Sequence, residues 1–523
     1  MIHPRSNPRG IVACGHVETA SAAAEVLRAG GNAFDAVIAA LCAACVAEPL
    51  MVSLGGGGFL LARPGLGQAR VYDFFCHTPA RRRAESDMDF YPIVANFGAD
   101  LQEFHIGMGA IAVPGTVAGL FRIHADLGRM PLREVVQPAI ELASRGVVIN
   151  PLQAYIVRIL EAILRSHPAV FSLFESPSRP GALIGAGETL RNPACGEALD
   201  HLVREGAALF YRGEWAQRLA RDSHEQGGNL ELADLAAYRV ACRQPLAFDY
   251  RGSRCLINPP PSPGGCLIAF ALGLLEHSLP QGVSWGAPAH VAALIGAMRA
   301  ASLARAECGI EGGLDGRLLE ELLGGDRLAA WLSRVQTHSL FSRGTTHISV
   351  ADVDGNLASL TASNGEGNRY ILPGTGIMLN NMLGEEDLNP AGFNRWRPGT
   401  RLASMMSPLV AQGADGSWLA LGTGGSNRIR SAIVQTLVNV FAFGQSLAAA
   451  VTAPRLHLEN TRLSIEAGYP PAGIEVAQTL VPEVHQWPAT NLYFGGVQAV
   501  QLTASGGLTG AGDPRRDGVV EIA

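Results

Sequence analysis

No stretch of the chain gathers more than three basic residues in a row, Arg81–Arg83 being such a run, and the net charge of −6 is spread over 523 residues. Nucleic-acid binding therefore has no electrostatic footprint, because neutralising phosphates needs clustered basic groups. Long apolar segments are also missing. The longest are alanine-rich, interrupted by Glu and Pro, and too short to cross a bilayer. Met1-Ile-His-Pro-Arg5 contains no apolar signal-peptide core, so the expectation is a cytoplasmic protein without membrane contact. The nine cysteines are odd in number and scattered through apolar surroundings, which suits reduced core thiols and not a disulfide framework. Cys42 and Cys45 form a C-x-x-C, but it lies inside the small-residue helical run Ala36–Ala47, where packing is the simpler role.

Two glycine clusters lack what a nucleotide site needs. Gly55–Gly58 precedes a strand but no G-K-[ST] follows it, which argues against a phosphate loop. Gly422-Thr-Gly-Gly-Ser-Asn427 lacks the third glycine and downstream acid of a dinucleotide fingerprint. No cofactor or metal is implied.

What the chain has is apolar content (48%) and glycine (62 residues), the composition of a well-cored α/β protein rich in tight turns. Residues 20–48 read as two helices joined at Ala29-Gly-Gly-Asn32, and a strand is expected at Phe59–Ala62. Residues 115–146 look helical with Pro131 at a helix start, and 150–335 look largely helical. That stretch is interrupted at Pro259-Pro-Pro-Ser-Pro-Gly-Gly265, either a linker or a stiff loop lining a cleft. The pattern changes at residue 345. His347–Asp352 alternates with period two, Asp354-Gly355 signals a hairpin turn, and Leu357–Ser363 alternates again. Strands at 375–380, 407–412 and 417–421 and a helix over 427–443 complete a helix-rich front and a strand-rich back.

Three short elements bear chemistry. In Arg343-Gly-Thr-Thr-His347, a cut between Gly344 and Thr345 would free an α-amine beside a hydroxyl. An α-amine titrates near pH 7.7–8, which suits a general base, and a threonine hydroxyl needs one to become a nucleophile. Gly344 would accommodate the strained geometry of an N→O acyl shift. The small residues 422–427 before a helix offer free N–H groups for a tetrahedral oxyanion. Ser363, ending the second strand of the hairpin, lies across from the strand start, within reach of Thr345.

Together these elements resemble the γ-glutamyltranspeptidases and their acylase relatives, and the resemblance runs nearly end to end. It rests in the front half on Ala29–Ala36, Glu48-Pro49 through Phe59, Val113–Gly119, Leu235–Tyr238 and Pro259–Gly265. In the back half it rests on Thr345–Val350, Asp354–Asn356, Leu379–Asn381, Met406–Pro408, Gly424-Gly425 with Arg428-Ile429, Ala453–Arg455 and Gly512–Arg515. The resemblance implies a four-layer αββα Ntn-hydrolase sandwich. It implies a precursor cut into a large piece, 1–344, and a small piece, 345–523, which stay associated; a homodimer is open. By the same resemblance Thr345 is the nucleophile, Ser363 its supporting hydroxyl, and Gly424 and Gly425 the oxyanion pair. A gapless register would give Gly425 and Ser426 instead.

The substrate pocket departs from the family pattern. Phe75 stands where the family has the arginine that holds the substrate α-carboxylate. Glu385 falls on or next to the aspartate that holds the α-amine, and Ser404 and Met405 replace paired serines. With Gly365 and Ser426 these are the expected substrate-binding positions. An arginine pair is worth roughly 1.5–3 kcal/mol per charge-assisted hydrogen bond, so its loss bears on selectivity. Arg81, Arg82 or Arg83 are candidates to reach in. The expected substrate is a small acyl amide, either a γ-glutamyl compound of the glutathione kind or, in a more general acylase activity of the cephalosporin-acylase kind, an acyl group that lacks a free α-carboxylate or binds in another pose. A non-catalytic binding relative is the alternative of a different class.

Overall fold

The computed structural model describes residues 8–96, 101–307, 344–389 and 391–523. Its centre is the hairpin that the alternation predicts. Thr346–Asp352 pairs antiparallel with Leu357–Ser363, in register Thr346 with Ala362 through Ala351 with Leu357. This hairpin sits inside a seven-stranded sheet of order Val519–Ile522, Gly10–Cys14, Thr346–Asp352, Leu357–Ser363, Gly57–Arg63, Arg70–Asp73, Ala241–Arg243. A six-stranded sheet lies against it, of order Leu508–Gly512, Gly496–Leu502, Trp418–Gly424, Leu409–Gln412, Ser253–Ile257, Leu246–Tyr250.

Period-two side-chain alternation divides each strand of the first sheet between two cores. Val12, Cys14, Leu60, Ile348, Val350 and Leu360 face helices Val17–Arg28 and Ala33–Ala47. Ile11, Ala13, Phe59, Leu61, Ala351 and Leu357 face the second sheet. The far face of that sheet is covered by Pro263–Ser278 and Arg428–Phe441. Helix, sheet, sheet and helix thus form the four-layer αββα sandwich. Ala33–Ala47 is apolar all round and every residue of it is buried, as a helix enclosed on all sides requires. Asn32 starts it through a reciprocal capping box with Asp35, and Gly30, at φ +99°, makes the turn before it. Cys42 and Cys45 are free and buried in this packing, and burial raises both thiols, so the motif fills space. Cys308 lies outside the described residues.

Residues 115–146 are helical as expected, in two helices, Thr116–Leu127 and Leu132–Arg145, with Pro131 at the start of the second. The structure corrects other expectations. The 150–335 stretch contains Ala241–Arg243, Leu246–Tyr250 and Ser253–Ile257, strands that enter both sheets; its part from 308 to 335 lies outside the described residues. The segment read as a strand at 375–380 is a two-residue strand, Ile377–Met378, paired with Ile371–Leu372. Only the start of the proline run is irregular. Pro263 occupies the first turn of Pro263–Ser278, where its missing N–H leaves no helical bond unmade, and it lines the cleft described below.

Candidate active site

One step beyond the Thr346–Ala362 pair, the hairpin brings Thr345 and Ser363 to the same carbonyl. Thr345 Oγ1 donates to Gly344 O at 2.8 Å and Ser363 Oγ donates to it at 2.7 Å. Gly365 N in turn donates to Ser363 Oγ at 3.0 Å. The other end of the same residue is held by Glu366, whose Oε2 accepts Gly344 N–H at 3.0 Å. Glu366 is itself fixed, its N–H donating to Asn381 Oδ1 at 3.0 Å. The peptide ahead of Thr345 is therefore gripped at its N–H and its C=O. Gly365 has φ +67°, and a Cβ there would overlap Asn381 and Glu385, so glycine is required on both counts. At Gly344 a side chain would run into Leu50 O and Gly365 O, so the close approach of these backbones also requires glycine.

On the opposite side of Thr345, strand Trp418–Gly424 ends against its carbonyl. A Cβ on Gly424 would overlap Thr345 O, so the close approach demands glycine. Arg516 Nη1 donates to that oxygen at 3.3 Å. Burial, with Arg428 nearby, pushes the Arg516 guanidinium down to about 10. Gly425 (φ +129°) and Ser426 (φ +52°) turn the chain into helix Arg428–Phe441, and their amides have no acceptor among the described residues. Ser426 Oγ donates to Asp387 Oδ2.

His347 lies fully buried between the sheets. Ser349 Oγ donates to Gln498 O at 3.1 Å, so it accepts from His347 Nε2–H at 2.9 Å. Nδ1 then accepts the Thr361 hydroxyl at 2.8 Å. The ring is neutral in this arrangement, and burial pushes its pKa down to about 3. An unfolded histidine titrates near 6.5, so this stabilisation is complete above pH 6.5 and is lost as the pH falls from 6.5 toward 3. His77 and His290, lowered by burial to about 3 and about 4, add to the same window. We expect unfolding midpoints in denaturant to fall across it, by about 1.4 kcal/mol per pH unit for each fully linked proton. His347→Gln should flatten part of that fall.

A cavity of about 380 Å³ opens beside Thr345 and Ser363. Phe75, Glu385, Ser404, Met405 and Ser426 line it, whereas Gly365, also expected to bind substrate, does not and instead supports Ser363 Oγ through its N–H. Phe75 is stacked on Phe59, with ring centroids 5.5 Å apart. Arg81, Arg82 and Arg83 do not line the cavity. Arg81 reaches Glu231 at 3.6 Å on the surface, Arg82 donates to Asn394 O, and Arg83 donates to Gly228 O and His224 O. The arginine nearest Phe75 is Arg401, which donates to Phe75 O, Tyr238 Oη and Arg239 O and lies 3.4 Å from Asp73. Those partners tie it to the protein, where it fixes the Phe75 backbone. Glu366, Asp387, Arg401 and Arg516 are the site residues that sequence reasoning passed over. Glu366 and Arg516 directly extend motifs already singled out, whereas nothing local marks Arg401.

A self-contained αββα sandwich with a threonine heading a central strand and a glycine turn against it defines the Ntn-hydrolase class. The family model described as Gamma-glutamyltranspeptidase matches residues 19–523. The chain therefore belongs to the γ-glutamyltranspeptidase family, and it is an enzyme of that hydrolase and transpeptidase family. It is 32% identical over 534 residues to the Acylase ACY 1 proenzyme of Pseudomonas sp. (strain SE83), covering 98% of this chain and 94% of that protein. It is 28% identical over 545 residues to the Glutathione hydrolase proenzyme of Escherichia coli (strain K12), covering 98% and 92%. Among solved structures, the cephalosporin acylase from Bacillus halodurans shares the fold with a TM-score of 0.83 at 24% identity, over 100% of this chain and 99% of that one. Helicobacter pylori γ-glutamyltranspeptidase aligns with 62% of this chain and 91% of its own, with a TM-score of 0.51 at 26% identity.

Proposed function

We propose that the chain cleaves itself between Gly344 and Thr345 and then hydrolyses acyl amides through an acyl-enzyme on Thr345. The observation that carries this is the pair of hydroxyls, Thr345 Oγ1 and Ser363 Oγ, on the Gly344 carbonyl. In self-cleavage Thr345 Oγ attacks the Gly344 carbonyl carbon, the acyl group shifts from nitrogen to oxygen, and water releases the ester. The freed α-amine then takes the Thr345 hydroxyl proton when a substrate carbonyl is attacked. The amides of Gly425 and Ser426 receive the oxyanion, while Gly424 provides the close approach, which supports the gapless register. The protonated amine of Thr345 hands its proton to the departing amine, and water or an acceptor amine resolves the ester. Strand Gly10–Cys14 lies between Thr346–Asp352 and Val519–Ile522, so the 1–344 and 345–523 pieces share a sheet and remain one body after the cut. Glu366 positions the scissile peptide through the Gly344 N–H. Glu366→Ala should slow appearance of the cut at least about tenfold on a denaturing gel, whereas Glu366→Gln, which keeps an acceptor, should retain it.

Acyl selectivity follows from the cavity. Phe75 and Met405 occupy the end where the family holds a substrate carboxylate, and Arg401 is committed to backbone and tyrosine partners. We therefore assign the preferred acyl group to the class lacking a free α-carboxylate, with the γ-glutamyl group second. Comparing simple acyl 4-nitroanilides with the γ-glutamyl and glutaryl ones, which both carry a carboxylate at the same position, tests this. The expected order places γ-glutamyl and glutaryl at least about tenfold below the simple acyl group in kcat/KM, the equivalent of one lost charge-assisted bond. A dominant γ-glutamyl rate would overturn the assignment.

A further inference from the structure

Arg516 reaches Thr345 through a slot lined by two glycines. Gly424 and Gly496 face each other in the register of strands Trp418–Gly424 and Gly496–Leu502. A Cβ on Gly496 would overlap the Arg516 stem at Cβ, Cγ and Cδ, and one on Gly424 would stand 3.1 Å from Nη1. The side chain runs across this pair and sets its guanidinium on Thr345 O, with only 8% of the residue exposed.

The neighbouring buried arginines are paired, Arg455 with Asp513, and Arg515 with Asp513 and Glu466. Arg516 has no carboxylate within 4.0 Å among the described residues. Its Nε has no acceptor, and its bond to Thr345 O is long, at 3.3 Å. A buried cation without an ion-pair partner weakens a fold, so structural support alone does not account for it. Burial brings the guanidinium down only to about 10, which leaves it charged at neutral pH.

The nitrogen and carbonyl oxygen of one residue are at most about 3.6 Å apart. The guanidinium therefore stands within about 7 Å of the Thr345 nitrogen, which the cut turns into an α-amine. A cation at this range, shielded from water, disfavours protonation of an amine. An ordinary α-amine titrates near 7.7–8 and is mostly protonated at pH 7, where it cannot act as a base. Other charges also face this end of the strand. Glu366 on the Gly344 side, Glu48 through Thr346 Oγ1 at 2.9 Å, and Glu385 and Asp387 in the cavity favour the protonated amine. Arg428 and, across the cavity, Arg305 act with Arg516. His16 and the neutral His347 stand on the same side as Glu48. The carboxylates are common to wild type and variant, so replacing Arg516 isolates its own contribution.

We propose that Arg516 is a positioning residue for the α-amine of Thr345, its buried positive charge holding that amine unprotonated near neutral pH while its hydrogen bond fixes residue 345. This rests on the reading of Thr345 as the nucleophile and of its amine as the base.

The test follows kcat/KM of the purified, self-cleaved enzyme for a simple acyl 4-nitroanilide from about pH 6 to 10, in wild type, Arg516→Gln and Arg516→Lys. Activity falls on the acid side as the amine takes up its proton. Loss of the cation raises the amine, so that limb should move to higher pH by about one unit in Arg516→Gln. Arg516→Lys, which keeps a cation, should return it toward wild type. Above the shifted limb the Gln variant should recover, whereas a structural defect would depress the rate equally at every pH. Equal depression, an unmoved limb, or the same shift in the Lys variant would overturn the proposal. If Arg516→Gln does not cut itself, co-expressing 1–344 with 345–523 behind an initiator methionine, which is removed ahead of threonine, supplies the two-piece form. The NMR shift of the Thr345 α-carbon in that form reads the same midpoint without substrate, and an equal midpoint in wild type and Gln variant overturns the proposal. A wild type that stays uncut and inactive instead sinks the Thr345 reading, and the role of Arg516 with it.

Discussion

Thr345→Ala is expected to leave the chain in one piece and to lower acyl-amide turnover by at least about 10⁴-fold, because it removes the nucleophile proposed for both reactions. The effect is large since the proposed mechanism routes self-cleavage and substrate hydrolysis through the same oxygen, now 2.8 Å from the Gly344 carbonyl oxygen. Folding should survive. The hydroxyl contributes one partly buried hydrogen bond, worth about 0.5–1.5 kcal/mol, against two extensive cores. Thr345→Ser keeps the oxygen and should be cut and active, at a reduced rate. Denaturing gels and anilide hydrolysis on the same preparations check both variants.

The largest stability effect should come from the far end of the chain. Asp513 is fully buried, its Oδ2 accepting from Arg455 Nη2 at 2.6 Å and Val497 N at 2.9 Å. Its Oδ1 accepts from Arg515 N at 3.0 Å and Nη1 at 3.1 Å, and Arg515 is bound in turn to Glu466. Burial opposes the Asp513 charge, but Arg455 and Arg515 outweigh it and hold the carboxyl below its ordinary range. Asp513→Ala leaves two buried guanidiniums without their shared partner, and breaking such a cluster costs about 3–5 kcal/mol. A correspondingly large fall in the unfolding midpoint is expected. Arg516 is three residues on, so catalysis should suffer as well. Loss of the Asp513 charge with an unchanged midpoint would mean that the cluster contributes little.

The part of the site carried by local pattern was legible in the sequence. Period-two alternation around Asp354-Gly355 placed the hairpin, and with it Thr345 across from Ser363. The small residues after Trp418–Gly424 marked the turn into Arg428–Phe441. What depended on tertiary placement was not legible. Leu246–Tyr250 and Ser253–Ile257 are five-residue strands in a stretch dominated by helices, and only the Arg251-Gly252 turn between them hints at a hairpin. Arg81, Arg82 and Arg83 are close to Phe75 in sequence, but beyond strand Arg70–Asp73 the chain runs out to the surface, where Arg81 and Arg82 are exposed. The arginine that meets Phe75, Arg401, is 326 residues away in the chain.

The glycines show the same division. That Gly55–Gly58 is no phosphate loop could be read from the missing lysine, but its actual role is tertiary. Side chains on Gly56 and Gly58 would collide with the backbone of Ser363 and Thr361, so the cluster lets strand Gly57–Arg63 lie tight against the hairpin that presents Thr345.

The central claim is most directly tested by mass spectrometry of the purified protein after exposure to an acyl amide. The expected result is two fragments, the smaller beginning at Thr345 and carrying the acyl group on that residue. A single uncut chain that hydrolyses the amide, or an acyl group lodged on any residue other than Thr345, would contradict it.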